Sequence, residues 1–197
     1  MKTNEILNYI VKNIEEYMVL KPAFVIHKNY DLILSGYAIE RTPNTIYINK
    51  FYYPLFDLCE GCHLTYGYRL HGIKNSISIA EVDKSELGKL TTLVIMRDKE
   101  KITDIHSLKE FTTLIENRSN QNGFLHPTVQ LYYGMTQILL DNTELAQKSF
   151  NEAKKFLHHN EISTLEKLEN KLNQSPKYAK DFILRQANKM KEKLLLP

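Results

Sequence analysis

The sequence predicts an α+β protein: an N-terminal helix on a largely antiparallel sheet, followed by a C-terminal lobe of antiparallel helices. Three observations carry that prediction. Apolar residues recur at helical spacing over residues 4 to 19. From residue 23 the period drops to two, in runs rich in β-branched and aromatic residues. From residue 126 onward the period is helical again, interrupted only by short connectors.

The first helix places Ile6, Leu7, Ile10, Ile14 and Tyr17 on one stripe, with Lys12, Asn13, Glu15 and Glu16 on the other side. Thr3 or Asn4 is its cap, and Pro22 is its stop. Strands follow in "AFVIHKN", "YDLILSGYAIER" and "NTIYINKFYYPLF", with Asn29 near a turn. In the third, Thr45, Tyr47, Asn49 and Phe51 alternate against Ile46, Ile48, Lys50 and Tyr52. Pro54 marks its edge or exit, because proline has no N–H to give a ladder. After the loop "FDLCEG", the run "CHLTYGYRL" reads as a fourth strand.

Residues 76 to 118 read as mostly helical, in "SELGKLTTLVIM" and "SLKEFTTLIENR". Ser107 with Glu110 three residues later is a capping box. The polar stretch "RSNQNG" then reads as a loop that separates an α+β domain at 1–120 from a helical lobe at 124–197. In that lobe Pro127 opens one helix and Thr143 caps the next. Ile162, Leu165, Leu168 and Leu172 stripe a third, and Ser175 and Pro176 open a fourth. Short connectors make these helices antiparallel neighbours.

Composition narrows the function classes. With 26 basic and 23 acidic residues spread along the chain, the net charge of +3 supplies no clustered basic face, so no nucleic-acid partner is expected. No run approaches the roughly 18 apolar residues of a membrane span. Glu5, Glu15 and Glu16 interrupt the stretch where a secretory leader would be apolar, which points to the cytoplasm and to reduced thiols.

Both cysteines lie in "LCEGCHL". The spacing C-x-x-C-H is that of covalent haem attachment, but such proteins are exported, and no axial partner is evident. Cys59, Cys62 and His63 with His71 would make four zinc ligands. Yet Cys62 and His63 point to opposite faces if they lie in a strand. A redox pair would need the motif at a helix N-terminus, and a strand follows instead. The reading is a loop with two plain thiols and no cofactor. The sequence has no P-loop, G-x-G-x-x-G, H-E-x-x-H or nucleophile elbow. Asp31, Glu40 and Asp57 lack the nearby strand lysine of a metal-dependent nuclease. No catalytic residue is assigned, and a metal-dependent or cysteine-based hydrolase stands as the rival reading, with a helical scaffold third.

Tyr47, Phe51, Tyr52, Tyr53, Phe56, Tyr66 and Tyr68 fall within 22 residues. Alternation would turn half of them outward, and tyrosine with arginine is the composition of a protein-binding surface. The candidate partner contacts are Tyr52, Tyr66, Tyr68 and Arg69. A one-residue register slip would exchange the buried and exposed sets.

Two resemblances add to this. Over 127–157, Gly134 and Ala146 stand at the small positions of a helix pair, Phe150 at the large aromatic position and Ala153 at the last small one. This resembles a single tetratricopeptide repeat, with His158 in place of the closing proline and Gln130 in place of the first aromatic. One repeat implies a packed hairpin, not a peptide-binding array. The segment "FYYPLFDLCEGCHLTYGYRL" runs from an aromatic strand through Pro-Leu to a second strand ending in Gly-x-Arg-Leu. In this and in its layout the chain is similar to the immunity proteins of bacterial polymorphic toxin systems. That resemblance implies a non-enzymatic protein that occludes a cognate toxin, under an interface of about 1,600 Å².

Overall fold

The computed structural model describes residues 2–57, 68–69, 76–83, 85–99, 105–122, 126–157 and 159–197. Helix α1 spans Thr3–Asn13, and strands β1 to β4 span Tyr17–Leu20, Phe24–His27, Ile33–Arg41 and Thr45–Pro54. Strands β5 (Tyr68–Arg69) and β6 (Ser76–Ser78) precede α2 (Leu87–Lys99), α3 (Leu108–Asn122) and α4 (Pro127–Leu139). Helices α5 (Thr143–Lys154), α6 (His159–Gln174) and α7 (Pro176–Lys193) complete the chain. The fold class is α+β, as expected. The chain divides into two units: Met1–Tyr53 with Cys62–His106, and Pro54–Gly61 with Ser107–Pro197. Helix α3 therefore groups with the later helices, not with the first 120 residues.

In the first unit, the Lys2 N–H donates to the Glu5 carboxylate at 2.6 Å and starts α1. The helix ends at Asn13, not near residue 19, and Ile14 is already extended. Tyr17 continues the helical stripe, so periodicity alone overruns the end. What decides against helix is pairing. Tyr17 stands opposite His27 and Leu20 opposite Phe24, so β1 satisfies its backbone groups on β2.

The sheet has six strands in the order β1-β2-β3-β4-β5, with β6 also on β4. Along one edge β4 pairs antiparallel with β6 at Thr45–Tyr47 and with β5 at Asn49–Lys50. The helical reading from residue 76 fails at its start, because "SIS" is too short to show a period. Helices α1 and α2 pack on one face, where Ile6, Leu7, Ile10, Val94 and Ile95 share a core with Val25, Tyr37, Ile39, Ile46 and Ile48.

In the second unit, the capping box at Ser107 forms. Its N–H donates to Glu110 at 3.0 Å, and the Glu110 N–H donates to Ser107 Oγ at 3.2 Å. Helix α3 continues through "RSNQN" instead of ending there. The polar composition of that stretch does not prevent a helix. The segment leaving β4 also belongs to this unit, and the Tyr132 hydroxyl donates to the buried Asp57 carboxylate. Helix α4 stops at Asp141, whose φ of 66° is left-handed. Its carboxylate holds Lys180 of α7 at 2.6 Å. The cap position of α5 is Asn142, one residue before the expected Thr143. Ser175 caps α7 as expected, accepting from the Lys177 N–H at 3.2 Å.

Helices α4 and α5 approach closely because their contact residues are small. A Cβ on Gly134 would lie 2.3 Å from the Phe150 ring, and Ala146, Phe150 and Ala153 are fully buried. Ala146→Leu should overpack this hairpin and cost about 1–3 kcal/mol. In Gly134→Ala the ring clash opposes a helix-propensity gain of about 1 kcal/mol, so the leucine variant is the cleaner test. Thermal melting reads the effect, and an unchanged midpoint in Ala146→Leu would refute the close approach.

Candidate functional site

Three helices of the second unit enclose a groove of about 410 Å³, within the range of roughly 300–1,000 Å³ typical of binding sites. Each helix contributes one face by its 3.6-residue period. Ile115, Glu116 and Ser119 come from α3, and Gln130 and Tyr133 from α4. Leu145, Lys148, Ser149 and Glu152 line α5 at helical spacing.

The buried Ser149 joins α5 to α4, with its Oγ 2.7 Å from the Gln130 backbone oxygen and 2.8 Å from Gln130 Oε1. Tyr133 joins α4 to α3 by donating to Glu116 Oε1 at 2.7 Å. Burial, followed by this carboxylate, pushes the Tyr133 hydroxyl up to about 12. It therefore remains a neutral donor at physiological pH. Lys155 lies 2.7 Å from both Glu152 oxygens. Among the described residues, no ion pair engages Glu116 or Lys148. Leu145 is 46% exposed.

A second, polar cavity of about 470 Å³ lies between α5 and α6. Its buried carboxylate, Glu169, is already taken by Lys154 at 2.5 Å and Gln147 at 3.0 Å. The first unit holds a more concentrated ionic group. Tyr37 donates to Asp98 Oδ2 at 2.5 Å, and Lys50 Nζ donates to the Tyr37 oxygen at 3.2 Å. The Lys50 ammonium also lies 4.6 Å from the Tyr37 ring centroid and 5.9 Å from that of Tyr52. Lys50 has no exposed side-chain surface and Asp98 has 4%. A substrate has no approach to them.

The aromatic face expected on the sheet is closed at Phe51, Tyr52, Tyr53 and Phe56. Tyr52 is 1% exposed, as is Tyr53, and Phe51 is fully buried. Tyr52 therefore offers no contact surface, and its place among the partner contacts is corrected. On the opposite parity of β4 Asn49 and Phe51 are covered, with Phe24 packing edge-on to Phe51 at 5.3 Å, while Thr45 and Tyr47 are half-buried. Tyr68 and Arg69 form β5 opposite Lys50 and Asn49, but their side chains lie outside the described residues, as does all of Tyr66. Cys59, Cys62, His63 and His71 also lie outside them. Among the described residues no three His, Cys, Asp or Glu side chains gather as metal ligands, and no helix is long and apolar enough to cross a membrane.

Sequence reasoning found the α4–α5 packing but not the groove. Glu116, Lys148 and Leu145 carried no local signal beyond their helical spacing. Compared with known proteins, the chain matches no family model, no curated protein and no solved structure.

Proposed function

We propose that the chain is a non-enzymatic protein-binding module that recognises its partner through the groove between α3, α4 and α5. The observation that carries this is the half-exposed Leu145 at a cavity whose polar floor is already tied together by Ser149–Gln130 and Tyr133–Glu116. A floor fixed in this way keeps its shape without a ligand, which lowers the entropy cost of binding. An exposed leucine beside it gives a partner apolar area to bury. The buried Lys50–Asp98 pair lends the rival hydrolase reading no support, and the cysteines that reading invokes lie outside the described residues.

The similarity to immunity proteins names the first partner to try, a toxin encoded by the adjoining gene. In that role the chain would act by occlusion, covering the toxin's active surface. The purified product of that gene should bind the full chain. Leu145→Asp should then weaken binding by roughly 2 kcal/mol, the scale of an interface anchor, without lowering the melting temperature. Binding that is indifferent to Leu145→Asp, or no binding at all, would overturn this assignment.

A further inference from the structure

We infer that this groove accepts a protein segment in which a basic and an acidic side chain flank an apolar one; the inference rests on the groove being the recognition site proposed above. The two walls carry opposite charges. Glu116 on α3 touches the Tyr133 hydroxyl, a neutral donor that leaves the negative charge uncancelled. Lys148 stands on α5, across α4. It has a carboxylate one turn away on its own helix, Glu152, but both oxygens of Glu152 are already within 2.7 Å of Lys155. Glu116 and Lys148 are therefore the lining charges that no ion pair engages among the described residues, while Glu152, 49% exposed, is shared with Lys155.

An occupant with one charge would satisfy one wall and be repelled by the other. A polyanion such as nucleic acid would gain at Lys148 and lose at Glu116. A segment carrying both signs satisfies both walls. Leu145, 46% exposed, supplies the apolar surface for the residue between them, with the buried Ile115 behind the groove. Gln130 uses its side-chain oxygen on Ser149, which leaves its amide N–H groups for a main-chain carbonyl of the occupant.

The test titrates the full chain with acetyl-Arg-Leu-Glu-amide, with the reversed acetyl-Glu-Leu-Arg-amide, and with the neutral acetyl-Gln-Leu-Gln-amide. NMR signals of the Gln130 amide and the Tyr133 ring report binding. Exposed charge pairs contribute up to about fivefold each, so one charged peptide should bind about tenfold more tightly than the neutral one. Glu116→Gln should remove the preference for arginine and keep that for glutamate, and Lys148→Gln should do the reverse. Equal binding of the neutral peptide, a preference that survives both substitutions, or silent groove signals at millimolar peptide would each overturn the inference. If the adjoining gene's product still depends on Leu145 in that case, the groove remains the recognition site and only its charge preference falls. If that binding ignores Leu145, the reading of the groove fails independently of the peptides.

Discussion

Asp98→Asn is expected to destabilise the α+β unit by about 3–5 kcal/mol, and Lys50→Met by a similar amount, because each leaves one charge of a buried pair without the other. Lys50 lies on the same face of β4 as Ile46 and Ile48, where an aliphatic residue would pack without any polar cost. Its ammonium is instead held by the Tyr37 oxygen at 3.2 Å and by Asp98 at 4.0 Å. In Asp98→Asn the amide can still accept from Tyr37, so the hydrogen bond survives while the counter-charge is lost. The double variant Lys50→Met with Asp98→Asn removes both charges and should recover much of the loss, since a buried pair replaced whole costs little. Urea unfolding of the two single variants and the double gives the coupling directly. Single losses below about 1 kcal/mol that simply add would show that the pair does not hold this unit together. The neighbours of Asp98 explain what the pair specifies. Arg97 and Lys99 flank it on α2, so turning the helix by one residue would set a cation against Lys50. Apolar contacts would tolerate that slip far better than two like charges would.

The layout was legible wherever one face of one element decided the structure. The alternation over 45–52 already set Lys50 on the side of Ile46 and Ile48, and the small residues Gly134 and Ala146 already implied the α4–α5 hairpin. Legibility failed where two periods coincided or where a distant element closed a face. Tyr17 satisfies a helical stripe as well as it satisfies a strand, and only pairing with β2 separates the two. Tyr52 could be read as outward because alternation assigns a residue to a side but does not say whether that side is covered. The groove depends on such distant contacts throughout. Glu116 and Tyr133 lie 17 residues apart on different helices, and nothing local to either announces the other. Asp98 is 61 residues from the tyrosine it accepts from. A charged residue in a helix reads by default as a solvated one, and burial was decided by the sheet beneath it.

Gly36→Ala should cost the same unit roughly 3 kcal/mol or more, at the upper end of overpacking effects. Gly36 pairs with Ile26 across the β2–β3 ladder. A Cβ there would stand 2.1 Å from the Val25 carbonyl oxygen, 2.9 Å from Ile26 Cα and 3.0 Å from the Val25 carbonyl carbon. All three are backbone atoms, so no side chain can rotate aside, in contrast to Gly134, whose obstacle is a ring. Relief requires β2 to move bodily away from β3. Strand β2 is also paired with β1 from Phe24 to His27, so that movement strains ladders on both of its edges. The core would follow, since Val25 on β2 and Tyr37 next to Gly36 both pack in it, and Tyr37 carries the Asp98 hydrogen bond. The one gain opposes this weakly: alanine lowers the entropy of the unfolded chain by about 0.4–1 kcal/mol, less than the clash costs. Hydrogen exchange should therefore accelerate across β1, β2 and β3 in Gly36→Ala, and the denaturation midpoint should fall. Ala38→Gly is the matched control. It changes the same methyl group two residues along β3, at a site 2% exposed, without introducing a backbone clash. It should cost only about 1 kcal/mol through lost burial and added chain entropy. Equal losses in the two variants, or a midpoint in Gly36→Ala within about 0.5 kcal/mol of the parent, would mean that β2 and β3 do not approach as closely at Gly36 as the structure places them.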